Sequence, residues 1–183
     1  IGEYAAFVLA GAFSFKDAVK LVKKRGKYMQ EAVPLGVGTM AAIIGLESTD
    51  VINACKEASY LGIVEPANFN CPGQIVIAGE IKAVDKAIEI CNEKGARKAV
   101  VLQVSAPFHC SMLKSAGEKL ASELANVETN NLSIPVVTNV TAQYITDCTL
   151  VKELLIKQVS SPVLWEDSVR TMINDGVDTF IEI

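Results

Sequence analysis

His109 is the only histidine in the 183-residue chain, and its surroundings favour a chemical role. It ends the segment Ser105-Ala-Pro-Phe-His109, which follows a predicted strand and in which Pro107 interrupts strand hydrogen bonding. Exits from strands into loops are where α/β folds tend to place reactive side chains. His109 is therefore either a general base or a partly buried histidine with a structural role. The sequence leaves both interpretations open.

Arg25 is the second unusual residue, because it lies within the apolar face of a predicted helix. Successive helical residues are about 100° apart, and the helix predicted to end near Ala32 carries its lysines on the opposite face. The apolar residues beside Arg25 are Ala18, Leu21, Val22, Tyr28 and Met29. Such an arginine either reaches solvent or pairs with a buried carboxylate, or it grips a ligand carboxylate through two parallel hydrogen bonds.

The five cysteines do not form a metal-binding pattern. No C-x-x-C pair is present, and one histidine cannot complete a zinc site, so we expect neither a metal nor a cofactor. Cys110 adjoins His109, but neighbouring side chains usually point apart, which argues against a Cys–His nucleophile pair. Scattered, unpaired cysteines indicate a reducing cytoplasm.

Around these residues, the sequence predicts an α/β protein. A helix over residues 3–12 closes at Gly11, and the capping box Ser14–Asp17 begins a second helix. Residues 37–104 then give the order βαββαβ, with a Pro-Gly turn at Asn70–Gln74, which predicts an inserted ferredoxin-like subdomain. The predicted elements of this part are strand 39–46, helix 48–60, strand 63–69, strand 74–78, helix 82–94 and strand 98–104.

The remaining residues predict the other part of a larger α/β domain formed by residues 1–36 and 105–183. Its predicted elements are helix 113–125, strand 134–140, helix 149–159, a helix from Pro162 to Asn174 and a closing strand 179–183. Both ends of the chain interrupt regular structure, so we expect them to lie inside a larger domain.

Composition excludes two classes of partner. The net charge of −4 disfavours a phosphate-tracking surface, so we expect no nucleic acid. No apolar run reaches the roughly 18 residues of a membrane span, and we expect no membrane association.

Five segments, in this order along the chain, resemble the malonyl-CoA:acyl carrier protein transacylases of fatty-acid synthesis. The segments are Ile1-Gly-Glu-Tyr4, Arg25-Gly-Lys-Tyr-Met-Gln30, Asn68-Phe-Asn-Cys-Pro-Gly-Gln74, Ser105-Ala-Pro-Phe-His109 and Gln158-Val-Ser-Ser-Pro-Val-Leu-Trp165. The resemblance implies an α/β-hydrolase-like domain with a ferredoxin-like insert and a ping-pong mechanism on a serine directly before Ile1. It implies that His109 is the base, that the Gln158 backbone carbonyl orients it, and that Arg25 binds the malonyl carboxylate.

The resemblance also implies the other site residues. The Ile1 amide would stabilise the oxyanion, and the Phe108 ring would exclude an α-methyl group. Substrate contacts are implied for Met29, Asn68 and Asn70, although the two asparagines would equally suit turn positions that bond their own backbone. For Gln158, the alternative is an exposed side chain without a role.

The implied partners are malonyl-CoA and acyl carrier protein, for a cytoplasmic protein that is monomeric when complete. We expect the 183 residues alone to be inactive, since the serine is not among them. The alternatives are an acyltransferase domain of a polyketide synthase, a coenzyme A hydrolase, and a non-catalytic ferredoxin-like binding module around residues 37–104.

Overall fold

The computed structural model describes residues 1–182, which form seven α-helices and seven short strands. The helices are α1 (Gly2–Leu9), α2 (Phe15–Ala32), α3 (Ser48–Ala58), α4 (Ile81–Glu93), α5 (Lys114–Ala125), α6 (Val151–Gln158) and α7 (Trp165–Asn174). The strands are β1 (Gly38–Ile44), β2 (Val64–Cys71), β3 (Gln74–Glu80), β4 (Lys98–Val101), β5 (Val136–Val137), β6 (Tyr144–Ile145) and β7 (Val163–Leu164). No helix among residues 1–182 is long and apolar enough to cross a bilayer.

The predicted ferredoxin-like sheet is confirmed. Its strands lie in the order β4-β1-β3-β2, and each neighbouring pair is antiparallel. Pro72 and Gly73 form the two-residue turn between β2 and β3, where Gly73 adopts a φ of +73° that a residue with a side chain rarely tolerates. Beyond the prediction, β7 adds a fifth, parallel strand beside β2.

Both faces of this sheet are covered, which explains the nearly continuous apolar character of β3. Ile75 and Ile77 point toward α3 and α4, with which they share one hydrophobic core. The intervening residues Val76 and Ala78 point to the other face, where they pack with Cys110. Because side chains alternate along a strand, α3 and α4 pack on one face of the sheet and the loop after β4 packs on the other.

A second hydrophobic core joins the two N-terminal helices to two helices of the C-terminal half. It contains residues of α1 and α2 together with residues of α5 and α6. The Ser14 capping box is confirmed: its hydroxyl oxygen accepts a hydrogen bond from the Asp17 amide at 3.1 Å at the start of α2. This core fixes α1, α2 and α6 relative to one another.

Several predicted element bounds are wrong. The predicted strand over 134–140 shrinks to Val136–Val137, because only β6 pairs with it. The last helix begins at Trp165 and not at Pro162, since Val163 and Leu164 hydrogen-bond to β2. The closing strand is absent from 179–182, where no described strand pairs with the chain, and Ile183 lies outside the described residues.

Candidate active site

Candidate residues from three separate parts of the chain line one cleft of about 470 Å³. Glu3 lies in the first turn of α1, Gln158 is the last residue of α6, and His109 lies in the loop after β4. All three line the cleft together with Ile1. Arg25, from the middle of α2, hydrogen-bonds to Gln158 directly behind them.

The imidazole of His109 is held in one orientation by the backbone. Its Nδ1 lies 3.1 Å from the carbonyl oxygen of Gln158. A carbonyl only accepts hydrogen bonds, so Nδ1 carries the proton and Nε2 keeps a free lone pair. Burial, reinforced by the positive charge of Arg25, lowers the pKa of His109 to about 4. The ring is thus neutral near pH 7 and able to accept a proton at Nε2.

The backbone of His109 is strained, with a φ of +60°. On the far side of the histidine, Glu65 of β2 accepts hydrogen bonds from both the amide and the hydroxyl of Ser111, each at 2.7 Å. On the near side, Pro107 packs so closely on Gly38 that a Cβ there would lie 2.4 Å from the proline ring. Contacts with the ferredoxin-like sheet therefore hold the loop in place on both sides of the strained residue.

Cys110 is a structural thiol. It is fully buried, and its Sγ donates a hydrogen bond to the carbonyl oxygen of Pro107 at 3.1 Å. Burial raises the pKa of Cys110 to about 11, which keeps the sulfur protonated at neutral pH. Because the thiolate is the reactive form, this geometry agrees with the sequence argument against a Cys–His pair.

Arg25 is buried without a carboxylate partner. Only 7% of its surface is exposed, so the interpretation that it reaches solvent is wrong. Its Nη2 donates to Oε1 of Gln158 at 3.2 Å, and its Cζ lies 6.0 Å from the centre of the Tyr4 ring. Among the described residues, no carboxylate comes within ion-pair distance of Arg25, and its Nε has no hydrogen-bond partner. A buried cation with unused donors is suited to an anionic ligand.

Gln158 connects the imidazole and the guanidinium. Its side chain is 1% exposed, so the alternative of an exposed glutamine without contacts is wrong. Its backbone carbonyl accepts from His109, its Oε1 accepts from Arg25, and its Nε2 donates to Oε2 of Glu3 at 2.6 Å.

Glu3 is the residue of this cluster that sequence reasoning did not select. It is 6% exposed, and its Oε2 also accepts a hydrogen bond from the Asn139 amide at 3.0 Å. Burial raises the pKa of Glu3 above its usual value. The available signal was a lone carboxylate at the start of an otherwise apolar helix, a position more often explained by the helix dipole.

The remaining candidates are less closely tied to the cluster. Phe108 is half-buried beside both the helical core and the sheet, and Met29 is buried in the helical core. Asn68 and Asn70 lie within β2 and not in the turn, so the turn-asparagine alternative is wrong. Ile1 lies at the rim of the cleft as the N-cap of α1.

An oriented imidazole and a buried guanidinium are thus joined through Gln158. The chain belongs to the family described as acyl transferase domain, whose pattern matches residues 1–183. Among its relatives, the malonyl CoA-acyl carrier protein transacylase of Escherichia coli K12 is 47% identical over all of this chain and 59% of that protein. The Bacillus subtilis protein of the same name is also 47% identical, over all of this chain and 58% of that protein.

Solved structures agree with this assignment. The malonyl CoA-acyl carrier protein transacylase of Clostridium perfringens matches with a TM-score of 0.96 at 50% identity, over all of this chain and 57% of that chain. A complex described as a type II PKS acyl-carrier protein with its malonyl-transacylase matches with a TM-score of 0.93 at 44% identity, over 96% of this chain and 57% of that chain. The predicted fold class, an α/β-hydrolase-like domain with a ferredoxin-like subdomain, is confirmed. The chain spans just under three fifths of the length of these relatives.

Proposed function

We propose that this chain supplies the base and the acyl-binding residues of a transacylase that moves a malonyl group from coenzyme A to acyl carrier protein. The observation that carries the proposal is Arg25, a buried cation without a carboxylate partner, linked through Gln158 to the oriented imidazole of His109. The nucleophile is the serine that the family resemblance places directly before Ile1.

In the first half-reaction, Nε2 of His109 takes the proton of the serine hydroxyl as the serine oxygen attacks the thioester carbonyl. The tetrahedral intermediate places its oxyanion at the N-terminus of α1, near the Ile1 amide. When the carbon–sulfur bond breaks, the imidazolium returns its proton to the coenzyme A thiolate. The malonyl group is then an ester of the serine.

The second half-reaction runs the same steps with a new thiol. His109 takes the proton of the pantetheine thiol of acyl carrier protein, whose sulfur attacks the malonyl ester. As the serine oxygen leaves, it recovers that proton from the imidazolium. The Gln158 carbonyl keeps one imidazole orientation through all four proton transfers, because each uses Nε2.

Arg25 selects the acyl group. The malonyl carboxylate would occupy the unused guanidinium donors, whereas an acetyl group would leave the buried cation without a partner. Phe108 is assigned to excluding an α-methyl group, and Met29, Asn68 and Asn70 to lining the acyl and pantetheine path. We assign residues 37–104 to the ferredoxin-like subdomain, residues 1–36 and 105–183 to the acyltransferase domain, and the activity to the cytoplasm.

Intact-mass spectrometry of the full-length protein tests this function. Incubation with malonyl-CoA should add one malonyl group, and holo acyl carrier protein should then remove it as malonyl-thioester. A coenzyme A hydrolase would release free malonate in the presence of the carrier, and that result would overturn the proposal. Acylation by malonyl-CoA without transfer to any carrier protein would overturn it as well.

A polyketide carrier is the second candidate acceptor, because one structural relative is bound to a type II PKS carrier. The chemistry would be the same. Comparing transfer rates to a fatty-acid carrier and to a polyketide carrier distinguishes the two, since the preferred acceptor should react faster at equal concentration.

The acid limb of the kcat/KM profile against pH is expected near pH 4. His109 accepts a proton only when neutral, and its pKa is lowered to about 4, so kcat/KM should fall as the pH drops through that value. Acetyl-CoA, whose acyl group does not titrate, serves as the control substrate. Circular dichroism recorded at each pH checks that the protein is still folded. An acid limb near the ordinary histidine value of about 6.5 would contradict this prediction.

Glu65→Ala is expected to lower kcat about 10-fold or more while leaving KM nearly unchanged. The variant removes the two hydrogen bonds that hold Ser111, and a displacement of about 1 Å at the imidazole can cost roughly 100-fold in rate. Glu89→Ala, which removes an exposed carboxylate of α4, is the matched control. Steady-state kinetics measured at equal concentrations of folded protein test this prediction. A kcat equal to that of the control would refute the role of Glu65.

A further inference from the structure

The proposed acyl-transfer steps assign no role to Glu3, although it is buried and lines the same cleft as His109. Its Oε2 accepts two hydrogen bonds, from Gln158 Nε2 and from the Asn139 amide, and its Oε1 has no partner among the described residues. A buried carboxylate that is only half satisfied is costly to keep, so the contacts it does make call for an explanation.

The contact with Gln158 fixes the orientation of an amide. A glutamine side chain can present either its oxygen or its nitrogen to a neighbour, and the two orientations differ by a half turn. Oε2 of Glu3 accepts from the Asn139 amide as well, so Glu3 is an acceptor here and requires the nitrogen of Gln158 on its own side. The amide oxygen must then face the guanidinium of Arg25, where it is found. The opposite orientation would set an N–H group against the Arg25 donors and an oxygen against the carboxylate.

The amide also keeps the two charges apart. Arg25 and Glu3 both contact Gln158 but are not an ion pair. A direct pair would occupy the guanidinium fork with an internal carboxylate, as buried arginines commonly do. With the amide between them, Glu3 anchors one nitrogen of Arg25 through Gln158 and leaves the other donors unused.

We propose that Glu3 is a positioning residue for recognition of the acyl carboxylate: it fixes the Gln158 amide, and that amide aims Arg25 while keeping its fork open for substrate. This inference rests on the proposed function and deepens it by assigning substrate discrimination to Glu3. It separates two roles of Gln158, whose backbone carbonyl serves the imidazole and whose side chain serves the cation.

Three variants of the full-length protein test the assignment. Glu3→Ala removes the acceptor, and Glu3→Gln keeps an oxygen for Gln158 and Asn139 while its amide nitrogen takes the place of the unpartnered Oε1. Gln158→Glu preserves the backbone carbonyl but puts a carboxylate against Arg25. Asp50→Ala, which removes the first-turn acid of α3, is the control for loss of a charge near a helix N-terminus.

The readout is the rate of single-turnover acylation by malonyl-CoA and by acetyl-CoA. Glu3→Ala should lower the malonyl rate about 10-fold or more and change the acetyl rate less than about 3-fold, and Gln158→Glu should also lower the malonyl rate about 10-fold or more. Glu3→Gln should stay within about 3-fold of the wild type for both. Equal losses for the two substrates in Glu3→Ala would overturn the proposal, as would a Glu3→Gln variant as slow as Glu3→Ala.

An activity-independent measurement separates this inference from the proposed function. The Nε–Hε NMR signal of Arg25 should broaden or shift in Glu3→Ala and return toward the wild-type position in Glu3→Gln. If the wild-type protein forms no malonyl ester, the proposed function fails, and the NMR signal still decides whether Glu3 positions Arg25. An Arg25 signal unchanged in Glu3→Ala would overturn the inference.

Discussion

Replacing His109 with alanine in the full-length protein is expected to lower kcat for malonyl transfer by about 10⁴-fold, the upper range for loss of a general acid–base group. The effect should be large because, in the proposed mechanism, the same nitrogen, Nε2, takes part in all four proton transfers. His109 is also the only histidine in the 183 residues, so no second imidazole among them can replace it. Stopped-flow measurement of coenzyme A release and of malonyl-carrier formation should show both half-reactions slowed together.

Cys110→Ser is the matched control for this variant. Serine is close to cysteine in size and keeps a donor for the carbonyl oxygen of Pro107, so the loop should retain its shape. We expect activity within a few-fold of the wild type. A His109→Ala variant that keeps more than about one tenth of the wild-type rate would show that the base lies elsewhere. Loss of malonyl-ester formation in Cys110→Ser would instead assign chemistry to the thiol.

Arg25→Ala is expected to lower kcat/KM for malonyl-CoA by about 10³-fold, equivalent to roughly 4 kcal/mol, the usual cost of leaving a buried charge without its partner. In the variant, the unpaired charge is the malonyl carboxylate itself. The rate with acetyl-CoA should stay constant or rise, because its methyl group then enters a cavity without a buried cation. The preference between the two substrates, measured in competition, should therefore collapse or reverse.

Lys20→Ala is the matched control for Arg25→Ala. It removes a cation from the same helix, but its side chain is 62% exposed and solvent screens its charge. Its kinetics should match those of the wild type. Parallel losses for malonyl-CoA and acetyl-CoA in Arg25→Ala would mean that Arg25 supports the fold and not substrate selection. Thermal unfolding of each variant, measured alongside, separates the two explanations.

Much of the fold was predictable because its signals are local. The capping box at Ser14 and the Pro72-Gly73 turn depend on backbone geometry within a few residues, and both appear as predicted. The βαββαβ order follows from apolar runs of strand length alternating with helical periods. The short strands β5 and β7 were misjudged, since a strand ends where its pairing partner ends, and that partner is distant in sequence.

Helical and strand periods are properties of neighbouring residues, so Arg25 could be placed on an apolar helix face and His109 after a strand from the sequence alone. The sequence also carried the five segments that indicate an acyltransferase. The contacts of these side chains, by contrast, depend on the packing of distant segments. Glu3, Arg25 and Gln158 are far apart in the chain, and the helical core brings them within hydrogen-bond distance. Whether a buried charge contacts a carboxylate, contacts an amide or keeps donors without a partner depends on that packing.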